Sequence, residues 1–169
     1  MKPIIALLFL ASGISSAQAP TEFALNDGRV RFHAPATWTA IMEKRDGNPQ
    51  AIAFQVPNAA AAGTDDAADV TVKTRQLGSP ADFGAAVADE QERARAQAGY
   101  EADGTADAGQ HRYFVQRGGT RYLVRDSFRL VGAIAVEVRC RRPLLAATPT
   151  GWSNDFDGGC DRLVASLQP

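Results

Sequence analysis

The stretch Ala133-Ile134-Ala135-Val136-Glu137-Val138-Arg139-Cys140-Arg141, followed by Phe156-Asp157-Gly158-Gly159-Cys160-Asp161-Arg162-Leu163-Val164, decides the fold. In the first part Ile134, Val136, Val138 and Cys140 alternate with other residues, the pattern of a half-buried strand. In the second part Phe156, Cys160, Leu163, Val164 and, further on, Leu167 recur at helical spacing. Gly158-Gly159 is expected to weaken the first turn of that helix. Cys140 and Cys160 are the only cysteines of the chain. An even count in an exported protein reads as one disulfide, and the spacing is not the Cys-x-x-Cys of a redox pair. If the two are joined, the last helix must lie on the sheet face that carries Ile134, Val136 and Val138. Closing a loop of this length contributes ~3 kcal/mol by loop-closure entropy alone.

Working upstream, Arg112 to Arg117 and Thr120 to Leu130 flank Gly118-Gly119, a tight hairpin because both glycines accept positive φ. A turn near Val131-Gly132 leads into the strand above. Ser79-Pro80-Ala81-Asp82 opens a helix: Ser79 suits the N-cap, Pro80 the first helical position and Asp82 the dipole. Phe83, Val87, Ala94 and Ala98 fall on one face of that helix, and Gly99 marks its stop. Before it lie three strands, Arg29–Ala34, Ala51–Val56 and Val70–Arg75, with Val30, Phe32, Ala34 and Ile52, Phe54, Val56 on shared faces. Asn58 to Asp69 is small, acidic and loop-like, and Pro143 to Pro149 is a second loop. The expected fold is therefore α+β, one domain: a mainly antiparallel sheet of about six strands with two main helices.

Met1-Lys2, the apolar run Pro3 to Leu10 and the ending Ala17-Gln18-Ala19 read as a cleaved secretory signal peptide, residues 1–19. The apolar part is too short for a spanning helix, which needs ~20 residues. The mature domain is then 20–169, without a stable membrane span, and periplasmic or secreted.

Of the 169 residues, 18 are Lys or Arg and 19 are Asp or Glu, for a net charge of -1. That balance speaks against a nucleic-acid binder. Two histidines and two cysteines are too few for a Cys/His zinc site, and no metal or cofactor is expected. His33 sits on the polar face of a strand and His111 just before one, and neither has a partner at metal-ligand spacing. There is no Gly-x-Ser-x-Gly elbow and no phosphate loop. Asp155-Phe156-Asp157 resembles a fragment of a calcium loop without its remaining ligands and reads better as solvating the last helix. No catalytic residue is expected.

Arginine is the constellation above background. Eight arginines against two acids lie between Arg112 and Arg142, whereas Asn58 to Gln110 carries ten acids and four bases. Arg121, Arg125 and Arg129 share one side of their strand, opposite Tyr122, Val124, Phe128 and Leu130. If core faces align across the next turn, Arg139 and Arg141 join them, with Glu137 near Arg125. The face is either covered by the acidic first helix, its charges paired internally, or open to an acidic partner or anionic envelope polymer.

Three pieces of the layout resemble the PsbP-like fold family and its bacterial exported members. They are Phe32-His33-Ala34-Pro35-Ala36-Thr37-Trp38, a strand ending in a Pro-x-x-Trp corner, the Ser79-Pro80-x-x-Phe83 helix entry, and Leu163-Val164-Ala165-Ser166-Leu167. The resemblance implies an antiparallel sheet flanked by helices and a binding or accessory role, without an active-site motif. It departs from the lipoprotein members, since no cysteine follows the leader. The functional expectation is a non-catalytic exported binding or accessory protein with a protein partner in the cell envelope, an inhibitor or immunity role included. The alternatives are a small envelope hydrolase using His33 or His111 and a small-ligand carrier.

Overall fold

A computed structural model of the chain describes residues 19–106 and 109–169, so the leader reading lies outside the described residues except for Ala19. The elements in order are β1 (Thr21–Leu25), β2 (Val30–Ala34), β3 (Thr39–Lys44), β4 (Gln50–Val56), β5 (Ala68–Gln76), α1 (Phe83–Arg95), β6 (Glu101–Ala102), β7 (Gln110–Arg117), β8 (Thr120–Val131), β9 (Ile134–Pro143) and α2 (Thr150–Ala165). The fold is α+β with antiparallel pairing. The strand count corrects the expected six. Seven strands form one sheet in the order β3-β4-β5-β9-β8-β7-β6, and β1-β2 form a separate hairpin.

The additions have physical reasons. β3 is exposed along its whole length, so no apolar alternation marks it. β6 has only two residues. β1 buries only Leu25, and its partly buried Phe23 packs on Phe32 and Phe54, an aromatic cluster that only the folded hairpin assembles.

Directly opposed residues of antiparallel strands point to the same face. One face of the sheet carries Ile52, Phe54, Val70, Val72, Val136, Val138 and Cys140, and it is covered by the β1-β2 hairpin and α2. Cys140 and Cys160 form a disulfide that ties α2 to β9 on this face. The other face carries Tyr113, Val115, Tyr122 and Val124, packed against Ala94 of α1.

Ser79 opens α1 as expected. Its hydroxyl accepts from the Ala81 N–H and Asp82 accepts from the Ser79 N–H, while Pro80–Asp82 form a 3-10 turn. α1 stops at Arg95, so Ala98 lies beyond it and is exposed, and the buried face is Ala86, Val87, Glu90 and Ala94. α2 begins at Thr150, six residues before Phe156, which places Gly158-Gly159 in its interior instead of its first turn. Among the described residues no helix is long and apolar enough to cross a membrane.

Candidate functional site

The five arginines do not share a face. Val131 pairs with Ile134 across a two-residue turn, which sets Arg129 opposite Val136, Arg125 opposite Cys140 and Asp126 opposite Arg139. Arg121, Arg125 and Arg129 therefore stand on the α2 side of the sheet, and Arg139 and Arg141 stand on the α1 side. The aligned core faces expected across this turn do not occur: Tyr122, Val124 and Phe128 face α1, whereas Val136, Val138 and Cys140 face α2. Glu137 is opposite Phe128, not near Arg125.

Four of the five are held by carboxylates of the chain itself. Arg121 bonds Glu101 at 2.7 Å and lies over the Phe114 ring. Arg125 reaches Asp161 at 2.9 Å. Arg139 binds Asp126 through two nitrogens at 2.8 and 3.1 Å and Glu137 at 2.7 Å. Arg141 binds Asp69, the last residue of the stretch read as a loop and here inside β5. Arg129 donates to the neighbouring Phe128 carbonyl and is exposed. Arg142, outside the five, donates through two nitrogens to the Asp157 carboxylate at 3.2 Å.

Under α1 the charges join into one network that runs from the buried Asp126 and Glu137 to the exposed Arg93. Lys73 bridges Glu90 of α1 at 2.8 Å and Glu137 of β9 at 2.5 Å, and Arg93 closes on Glu90. Asp126 is fully buried and also accepts from the Tyr113 hydroxyl at 3.2 Å. Burial pushes Glu137 above the usual carboxylate range, opposed by Arg139 and Lys73. Burial beside Asp126 likewise drives the Tyr113 phenol well above its ordinary value. Asp126 and Glu137 keep the Arg139 guanidinium charged despite its burial. These groups saturate one another, and the network locks α1 to the sheet.

His111 lies within β7, not before it, and is 1% exposed. Its Nε2 shares a hydrogen bond of 3.0 Å with the Tyr100 hydroxyl, and its Nδ1 has no partner. Burial lowers its pKa, more than Asp126 raises it. His33 faces Glu22 across the hairpin at 3.7 Å, half exposed. The nearby Ser166 hydroxyl is committed to backbone: it accepts from the His33 N–H at 2.8 Å and donates to the Leu163 carbonyl at 2.7 Å.

Two open depressions lie elsewhere on the surface. A cleft of about 270 Å³ is lined by Pro35, Thr37 and Trp38 after β2, by Val56 at the end of β4 and Pro57 after it, and by Trp152, Asp155, Phe156 and Arg162 of α2. Trp152 stacks on Phe156 with ring centres 5.4 Å apart, and the Trp38 ring lies 6.3 Å from Phe156. The Trp152 indole N–H donates to the Pro57 carbonyl at 2.7 Å, which holds the ring in place. Trp38 seats over Gly159, where an added Cβ would stand 2.7 Å from the indole. These are the only two tryptophans of the chain. A second depression of about 550 Å³, under residues 58–64, shares Val56 and Pro57 with the first. In the sequence Trp38 stands out only as the Pro-x-x-Trp corner, and no local motif marks Trp152. The available signal was the α2 face Trp152, Asp155, Phe156, Gly159, Arg162, spaced as i, i+3, i+4, i+7, i+10. Among the described residues no group of His, Cys, Asp and Glu is placed to hold a metal ion.

No family model matches the chain, and no curated protein matches it. It is similar to a crystal structure from Bacteroides thetaiotaomicron VPI-5482, with 15% identity and a TM-score of 0.47 over 86% of this chain and 47% of that one. The chain thus spans about half the length of that protein.

Proposed function

We propose that the chain is an exported, non-catalytic binding or accessory protein of the cell envelope that makes its contact at the Trp38–Trp152 cleft. The observation that carries this reading is the pairing of that cleft with uncommitted polar groups. Asp155 and Arg162 on its rim are exposed and have no ion pair or side-chain hydrogen bond among the described residues, whereas four of the five expected arginines are already engaged. Aromatic side chains offer large contact area at low ordering cost, and concave apolar sites with a few polar groups are where ligands bind. Export is supported by the leader sequence and by the disulfide, a bond that persists in oxidising compartments. The PsbP-like resemblance, with its binding or accessory members, belongs to the same proposal.

Co-sedimentation of the purified protein with isolated cell-envelope fractions tests it. The unaltered protein and the Arg121→Gln and Arg129→Gln variants should sediment, and Trp152→Ala and Asp155→Ala should stay in solution. Loss of sedimentation in the arginine variants, with the cleft variants unaffected, would move the contact back to the arginine-bearing strand.

A further inference from the structure

We infer that the ligand of the cleft is a neutral saccharide unit of a longer glycan, an inference that rests on the cleft being the contact site. Three features of the cleft narrow the chemistry. Its rim is electrically balanced, with one free carboxylate at Asp155 and one free guanidinium at Arg162, on the same face of α2 and two turns apart, ~10 Å along the axis. A strongly anionic ligand meets Asp155 and a strongly cationic one meets Arg162, so each gains from one group what it loses to the other.

The second feature is the state of the Trp152 indole. Its N–H is consumed by the Pro57 carbonyl at 2.7 Å. Grooves that recognise proline-rich peptides are lined by aromatic side chains as well, so the aromatic lining alone does not choose between a peptide and a sugar. Here the indole N–H is spent on Pro57 and one ring face stacks on Phe156, so Trp152 offers the cleft apolar ring surface and no donor of its own, and Arg162 is left as the donor at the rim. A ring face of negative quadrupole suits the polarised C–H groups on the apolar side of a pyranose ring. The sugar's hydroxyls are both donors and acceptors, and they match an acceptor-only carboxylate and a donor-only guanidinium at the two ends of one site.

The third feature is size. At about 270 Å³ and open to solvent, the cleft lies just below the ~300–1,000 Å³ of sites that enclose a whole small molecule. Its size suits one unit of a chain, and the neighbouring depression that shares Val56 and Pro57 gives such a chain a direction in which to continue.

Because both tryptophans line the cleft, their two indole N–H signals in a ¹⁵N–¹H spectrum report on this site alone. The experiment titrates the purified protein separately with tri-N-acetylchitotriose, cellotriose and a decaproline peptide. The expected result is a saturable shift of the indole signals with at least one trisaccharide and none with the peptide. Affinity should fall by about tenfold or more in Trp152→Ala. It should fall by about fivefold in Asp155→Asn, an exposed position whose side chain holds nothing in place. It should be unchanged in Arg129→Gln. Silence with both trisaccharides at millimolar concentration, or a response to decaproline alone, overturns the saccharide inference. If envelope sedimentation still depends on Trp152 and Asp155 in that event, the contact site stands and only the ligand class falls.

Discussion

Two adjacent glycines in the interior of α2 should respond to the same substitution with opposite signs. Gly→Ala within a helix is worth about 1 kcal/mol of stability through backbone entropy. At Gly158 an added Cβ meets only the Arg162 guanidinium at 3.4 Å, the mobile end of an exposed side chain. The full gain is available there, and Gly158→Ala should raise the melting temperature by about 2–4 °C for a chain of this size. At Gly159 the same methyl lands 2.7 Å from Trp38 Cζ2 and 3.6 Å from Pro35 Cγ. Forcing the indole aside costs about 1–3 kcal/mol as overpacking, so the balance after the helical gain is a loss of about 1 kcal/mol. Gly159→Ala should therefore lower the melting temperature by about 2–4 °C and shift the tryptophan emission, since Trp38 is one of two tryptophans. Thermal unfolding by circular dichroism and steady-state fluorescence measure both effects. Equal stabilisation by the two substitutions, with emission unchanged, would refute the packing of Trp38 on Gly159 and with it the shape of the cleft.

Asp126→Ala should destabilise by about 3 kcal/mol in urea titration, because it removes two of the three carboxylate hydrogen bonds of the Arg139 guanidinium, leaving only Glu137, and takes away the acceptor of the Tyr113 hydroxyl under α1. Arg121→Gln, which breaks an exposed pair with Glu101, should change stability by less than about 1 kcal/mol. Acid should weaken the fold through His111. Its folded pKa lies below the ordinary 6.5, so the unfolded chain binds a proton that the folded chain refuses. Stability then falls as pH drops below about 6.5, by up to about 1.4 kcal/mol per pH unit for this one group. The decline between pH 7 and pH 5 should be shallower in His111→Gln, and an identical slope would remove His111 as its source. Reduction of Cys140–Cys160 opens a loop with a sequence separation of 20 and should cost ~3 kcal/mol in chemical denaturation. A loss near zero would mean that α2 holds its place on β9 without the bond.

The fold was legible where burial follows a period. The alternation in Val30–Ala34, Gln50–Val56 and Ile134–Cys140 and the Ser79-Pro80 capping sequence fall on elements of the structure, and the cysteine pair placed α2 on β9 before any geometry was known. β3 was illegible because all six of its residues are exposed and nothing in its pattern records the pairing with β4. The arginine face failed for a reason of register. Side-chain sides alternate residue by residue, so the tight Gly132-Ala133 turn, and not composition, decides that Arg129 meets Val136 and Asp126 meets Arg139. The cleft was illegible for a different reason. Trp38 and Trp152 are 114 positions apart in the chain, and only the packing of α2 beside the Pro35–Trp38 corner brings them to one place.

Oxidative footprinting of the two tryptophans by mass spectrometry, with and without the envelope fraction that retains the protein, tests the contact site most directly. The expected result is a marked slowing of oxidation at both Trp38 and Trp152 on binding, with residues 120–131 unaffected. Unchanged oxidation of both indoles together with protection of residues 120–131 would contradict it.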